Sequence, residues 1–246
     1  MTQISAEKKL AIVYGITIAM GLITIITTSI AWSHWRSSLD HCIYKNCSCI
    51  LFGEHTPNIF EGGPQVPCIF ITYGPILNIL FAAAFVCFHG YRYLFLRKSP
   101  NARTIMRKNR DGETIHMAVQ SEDSSPLPKC FWVTLSTLTV SFTIYSLVHY
   151  VIFLIGYKQT CNEYRKTLEN ELGLRGSALP VIYSRLSCGG IYDFMDYLHP
   201  VPENSYRYGI IDTGLILSLG LTGSFVATIL FVIASIYNIK RAKIRN

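Results

Sequence analysis

The sequence predicts an all-α membrane protein: a four-helix transmembrane bundle that carries a small, disulfide-stapled extracellular β-sheet. Three observations predict it. Four apolar segments are each long enough to cross a bilayer, fourteen of the 22 Lys and Arg residues fall on one side of them, and six of the eight Cys residues fall on the other. Half of the 246 residues are apolar and only 15% are charged, and the mean hydropathy is positive, so a soluble chain would have nowhere to put such long uncharged runs. The net charge of +7 does not point to nucleic acid, because the bases sit beside apolar runs rather than on an aromatic-interleaved patch.

The predominantly apolar cores run from Leu10 to Trp32, Ile69 to Phe88, Phe131 to Tyr157 and Gly209 to Tyr237, and only the last holds a formal charge, Asp212. Each exceeds about 18 residues, the length that separates a spanning helix from a buried core helix, and each must be helical because a lone strand leaves its backbone unsatisfied in lipid. Spans are therefore assigned to residues 10–33, 69–96, 130–157 and 209–237. The first reads as a signal anchor, since it is too long for a cleavable signal and lacks a small-residue cleavage site. With residues 1–9, 97–129 and 238–246 in the cytosol, the inner segments are plainly basic, while the loop 158–208 carries six acids against six bases. The expected location is the plasma membrane, with both termini cytosolic.

The first outer loop, residues 34–68, lies beyond a membrane exit marked by Trp32 and Trp35 and holds Cys42, Cys47, Cys49 and Cys68, with an N-glycosylation acceptor at Asn46. The second holds Cys161 and Cys188. All six are expected to be oxidised: Cys49 with Cys68, and Cys42, Cys47, Cys161 and Cys188 in two further bonds whose pairing the sequence leaves open. Cys87 and Cys130 lie towards the reducing side. Cys49 to Phe52 has the character of a short strand, and Gly62-Gly63-Pro64, together with Pro57, breaks the rest of the loop into turns.

In the first span, Gly15 and Ala19 at small-residue spacing and the cluster Thr24, Thr27, Thr28 suit close helix contact. Gly74-Pro75 should kink the second span and free a backbone carbonyl, and Asn78 one turn on is expected to hydrogen-bond another helix. The connection 97–129 turns from basic to acidic and Ser-rich between prolines, which predicts a mobile segment that orients the chain. His149 in the third span reads as a packed, hydrogen-bonded group, and residues 162–172 continue that helix beyond the membrane. The aromatic run Tyr192, Phe194, Tyr197 and Tyr206 either covers the sheet or meets a partner. The fourth span has the densest small-residue pattern, Gly214, Ser218, Gly220, Gly223, Ser224 and Ala227, and is expected to be a principal contact helix. Asp212, near its outer end, reads as structural.

No nucleophile elbow, HExxH pair or phosphate-cradling Gly loop occurs, so neither an enzyme nor a cofactor or metal site is expected. The runs Cys49-Ile-Leu-Phe-Gly-Glu54, Pro67-Cys68-Ile-Phe70, Leu80-Phe-Ala-Ala-Ala84, Tyr91-Arg-Tyr-Leu-Phe95 and Ile236-Tyr-Asn-Ile-Lys-Arg241 resemble the four-span family called transmembrane protein 179. That resemblance implies an integral membrane protein with no enzymatic role. The chain departs from it in a longer inner connection and a longer second outer loop. Trp35 with Cys49 and Cys68 also resembles the claudin-like architecture, although the Gly-Leu-Trp run of claudins is missing. Relatives of that architecture include accessory channel and receptor subunits and adhesion proteins.

Two main functions are expected. The first is an accessory or scaffolding subunit that contacts another integral membrane protein, a channel or receptor subunit, within the lipid bilayer. The second is a pore-forming subunit that assembles with copies of itself, for which a pore-lining helix should show a sustained polar stripe. Claudin-like adhesion is a further alternative.

Overall fold

Long uninterrupted apolar runs with hydroxyl and glycine residues on one side make the helices of this chain, and where those small residues fall decides which helices meet. The computed structural model describes residues 3–38, 49–56, 60–98, 102–108, 114–120, 129–171, 186–198 and 211–244. In chain order these form α1 (Gln3–Ser38), β1 (Cys49–His55), β2 (Phe60–Gly63), α2 (Gln65–Tyr73), α3 (Pro75–Lys98), β3 (Ala102–Lys108), β4 (Thr114–Gln120), α4 (Lys129–Glu171), α5 (Cys188–Leu198) and α6 (Thr213–Ile244). Four stretches are long and apolar enough to cross a membrane: Ser5–Arg36, Gln65–Leu94, Cys130–Asn170 and Thr213–Lys243.

The four spans form a bundle in which α1 packs along both α3 and α6, and α4 packs along α6. Glycine sets the α1–α6 approach. A Cβ on Gly220 would lie 2.7 Å from Thr27 Oγ1 and one on Gly223 2.8 Å from Thr24 Oγ1, so only a residue without a side chain fits. Thr24 uses the proximity to donate to the Gly220 carbonyl at 3.3 Å. On the other flank of α1, a Cβ on Gly21 would meet Ile79 at 2.8 Å. The expected Gly15 and Ala19 contact is not formed: a Cβ on Gly15 would meet no neighbouring helix within 4 Å, and Ala19 is exposed. Thr17, Thr24 and Thr28 occupy the inward face of α1 instead.

The α4–α6 interface is a ladder of polar pairs. Tyr157 meets Ser218 at 3.4 Å, His149 meets Ser224 at 3.0 Å, Ser146 meets Thr228 at 2.9 Å, Thr143 meets Ser235 at 2.8 Å and Thr139 meets Asn238 at 2.9 Å. Each such pair contributes roughly 0.6 kcal/mol in a membrane bundle. Between α3 and α4 the filling is aromatic, with Phe81 stacked on Phe142 at 3.9 Å and Phe88 near Phe131 at 5.3 Å.

The second span is broken at Gly74. Pro75 has no N–H, so the Ile71 carbonyl four residues earlier loses its helical donor, and His149 Nε2 supplies one at 2.9 Å. Tyr145 donates to the Gly74 carbonyl at 3.1 Å. Asn78 is buried, and its side-chain oxygen has no partner among the described residues, contrary to the interhelical bond expected of it.

At 43 residues α4 is about 64 Å long, roughly twice the apolar thickness of a bilayer, and its last turns project as the continuation predicted for residues 162–172. Against them lies the antiparallel pair β1–β2, whose register shifts between Cys49 and Glu54. Within that irregular stretch Phe52 has φ 61°, a left-handed conformation unusual for an aromatic residue. The Phe52 ring covers Gly156, where a Cβ would sit 2.6 Å from it. A second antiparallel pair, β3–β4, runs from Ala102 opposite Gln120 to Lys108 opposite Thr114. It occupies part of the connection 97–129, for which no strands were expected; the signal passed over is Asp111-Gly112 between two runs with β-branched residues.

Candidate functional site

Two regions concentrate chemistry, one at each end of the bundle. At the sheet end a stapled head forms. Cys49 is bonded to Cys68 with 5.7 Å between Cα atoms, and Cys161 to Cys188 with 5.5 Å. The first ties β1 to α2 and the second ties α4 to α5. Cys42, Cys47 and Asn46 lie outside the described residues.

One stripe of α4 straps β1 down. Thr160 donates to the Ile50 carbonyl at 2.9 Å and accepts from Gly53 N–H at 3.0 Å. One turn on, Glu163 accepts from His55 N–H at 3.4 Å, and the His55 ring is held between Thr167 at 2.8 Å and Asn170 at 2.9 Å. Across the head, Trp35 Nε1 donates to Thr213 Oγ1 at 3.3 Å, while Thr213 donates its hydroxyl and its N–H to Asp196 at 2.7 and 2.9 Å. Burial raises the Asp196 carboxyl above the ordinary aspartate value even so. Asp212 caps α6 by accepting from Leu215 N–H at 2.8 Å, which is the structural role read for it. Of the aromatic run, Tyr192 is buried, with its phenol pushed well above the ordinary value by that burial, and Phe194 faces outwards. Tyr206 lies outside the described residues.

The small residues of α6 are divided among neighbours. Gly214 meets the Gly189 carbonyl of α5, where a Cβ would come within 2.6 Å; Ser218 and Ser224 face α4; Gly220 and Gly223 face α1; and Ala227 is buried.

The other end holds a buried charge cluster that no sequence pattern announced. Glu7, with no exposed surface, accepts at Oε1 from Arg92 Nε at 2.8 Å and Arg241 Nη2 at 2.6 Å, and at Oε2 from His89 Nδ1 at 2.5 Å. The Arg241 and Arg92 guanidiniums lie 4.1 and 5.4 Å from the Trp132 ring, so all four long helices contribute. Tyr14 stacks on His89 at 5.8 Å and, through Thr139 and Asn238, joins the cluster to the polar ladder. An acid next to Lys8 in the first turns, and His89 and Arg92 at i, i+3, were the available signals. Among the described residues no group of three His, Cys, Asp or Glu side chains could hold a metal ion.

No family model matches the chain, and neither does any curated protein or solved structure.

Proposed function

We propose that this chain is a non-enzymatic accessory or scaffolding subunit of a larger channel or receptor complex in the plasma membrane. One observation carries the preference over a pore-forming subunit. Most hydrogen bonds between the spans are made inside the protomer, on the α4–α6 ladder and the charge cluster, and the outward faces are largely apolar. Ile12, Ile16, Ile26 and Ile30 of α1, Leu77 and Leu80 of α3, and Ile144, Leu147, Val148 and Ile155 of α4 are all exposed large hydrophobics. The hydroxyls that do face out on α4, Thr134, Thr137 and Ser141, donate to carbonyls of their own helix. A ring of such protomers would line its centre with apolar side chains, which repel water and ions.

The stapled head supplies a rigid surface for an unlike partner, as the resemblance to claudin-like accessory proteins suggests. Its disulfides favour an extracellular position and cytosolic termini, since Cys87 and Cys130 are unbonded and belong to the opposite half of the bundle. Purification of the full chain from its native membrane in mild detergent tests the reading. A stoichiometric unlike membrane protein is expected; a symmetric ring of this chain alone would establish the pore instead.

A further inference from the structure

We propose that the basic end of the bundle binds a phosphate group between Arg92 and Arg241, supplied by the headgroup of an anionic lipid or by free phosphate. Charge counting comes first. Glu7, Arg92 and Arg241 bring one negative and two positive charges together, with side chains 0%, 10% and 12% exposed. Whatever charge His89 carries, at least one positive charge lacks a counter-charge within the cluster, and burial strongly disfavours an uncompensated charge. A singly charged phosphodiester would balance it.

The donors match. Glu7 already accepts three bonds, most of what its two oxygens can take. Arg241 Nη1 is buried with no acceptor among the described residues, and Arg92 spends only its Nε on Glu7, which leaves its paired Nη groups to donate elsewhere. Both guanidinium forks lie close to the one Trp132 ring and both donate to Glu7 Oε1, so they are near neighbours. Phosphate oxygens accept from two such forks at once, whereas one carboxylate edge pairs with one fork.

The depth also fits. Glu7 and Trp132 stand near the starts of α1 and α4, and Arg92 and Arg241 near the ends of α3 and α6, so the cluster lies at one end of all four spans, where headgroups are found. Exposed Lys8, Lys9, Lys240 and Lys243 at the same end of α1 and α6 add a positive field that draws anions in.

The test uses the full chain in nanodiscs of phosphatidylcholine with and without phosphatidylglycerol, which presents the same phosphodiester without a neighbouring cation. Retained lipid is counted by native mass spectrometry and thermal unfolding is measured in parallel. One phosphatidylglycerol per chain, with a raised midpoint, is the expected result. Arg92→Lys and Arg241→Lys keep the charge facing Glu7 but lose the fork, and each should weaken retention about tenfold. Inorganic phosphate, added in pure phosphatidylcholine at matched ionic strength, separates the sources: stabilisation by it alone, abolished by the Lys variants, assigns the same site to a free anion. Glu7→Gln covers the case in which the Lys variants misfold. That variant leaves two positive charges, so anionic lipid should restore its stability more strongly than it stabilises the parent. Equal behaviour in all lipids and no response to phosphate, or Lys variants that retain phosphatidylglycerol like the parent, would overturn the proposal.

Discussion

His149 repairs a break made by another residue. Because Pro75 cannot donate to the Ile71 carbonyl, the imidazole must carry its proton on Nε2 to do so, and its Nδ1 then accepts from the Ser224 hydroxyl. Replacing His149 with Leu leaves two buried groups unsatisfied and should cost about 1–3 kcal/mol of unfolding free energy. Adding Pro75→Ala restores the helical donor, so the His149→Leu penalty should shrink in the double variant; equal penalties in both backgrounds would show that the imidazole does something else. Asp196 behaves differently. Its folded-state value lies above the ordinary 3.8, so ionisation is harder folded than unfolded, and the stabilising contribution is present below that value and lost as pH rises through the folded one. The unfolding midpoint of the parent should therefore gain more on acidification from neutral pH than that of Asp196→Asn, in midpoints measured across that range. Sequence alone marks His149 as a packed group, but the reason for its placement lies 78 positions away, across two helices, beyond any local pattern.

Among the described helices, α6 carries the most glycines at which a Cβ would crowd a neighbour, Gly214, Gly220 and Gly223. Leu at Gly220 or Gly223 would have to displace Thr27 or Thr24 of α1, and overpacking of this kind costs about 1–3 kcal/mol or more. Gly220→Leu and Gly223→Leu should lower the yield of monodisperse folded chain, while Ile216→Leu and Gly15→Leu should leave it at the parent level. Spacing of small residues identified the crowded face of α6, yet the same spacing in α1 pointed to Gly15 and Ala19, which face outwards. The period of a pattern fixes that two residues share a face, and the neighbours decide what covers it. The head repeats the lesson. Cys49 and Cys68 flank a strand and a span entrance and were readable as a pair, whereas the Thr160, Glu163, Thr167 and Asn170 strap needed the length of α4 and the position of β1 together.

For the whole molecule, the four spans and the small sheet were legible because they depend on local hydropathy and turn residues, and the charge cluster was not, because it depends on the relative depth of four helices. The proposed orientation makes Cys130 a reporter. A membrane-impermeant maleimide applied to intact cells should leave Cys130 unlabelled and should modify it after permeabilisation, as read by mass spectrometry of its peptide. Labelling of Cys130 from outside would reverse the topology.

The pairing of Glu7 with Arg241 also sets an order of events. These partners stand 234 positions apart, and a ribosome adding about 5–20 residues per second makes the second on the order of 10–50 s after the first. Through that interval Glu7 has at most His89 and Arg92 for company, both of which also emerge late relative to it. Arrival of α6 is thus what completes this buried cluster, and a nascent chain stalled before Arg241 would present an acid that lacks one of its three donors to whatever surveys newly inserted helices.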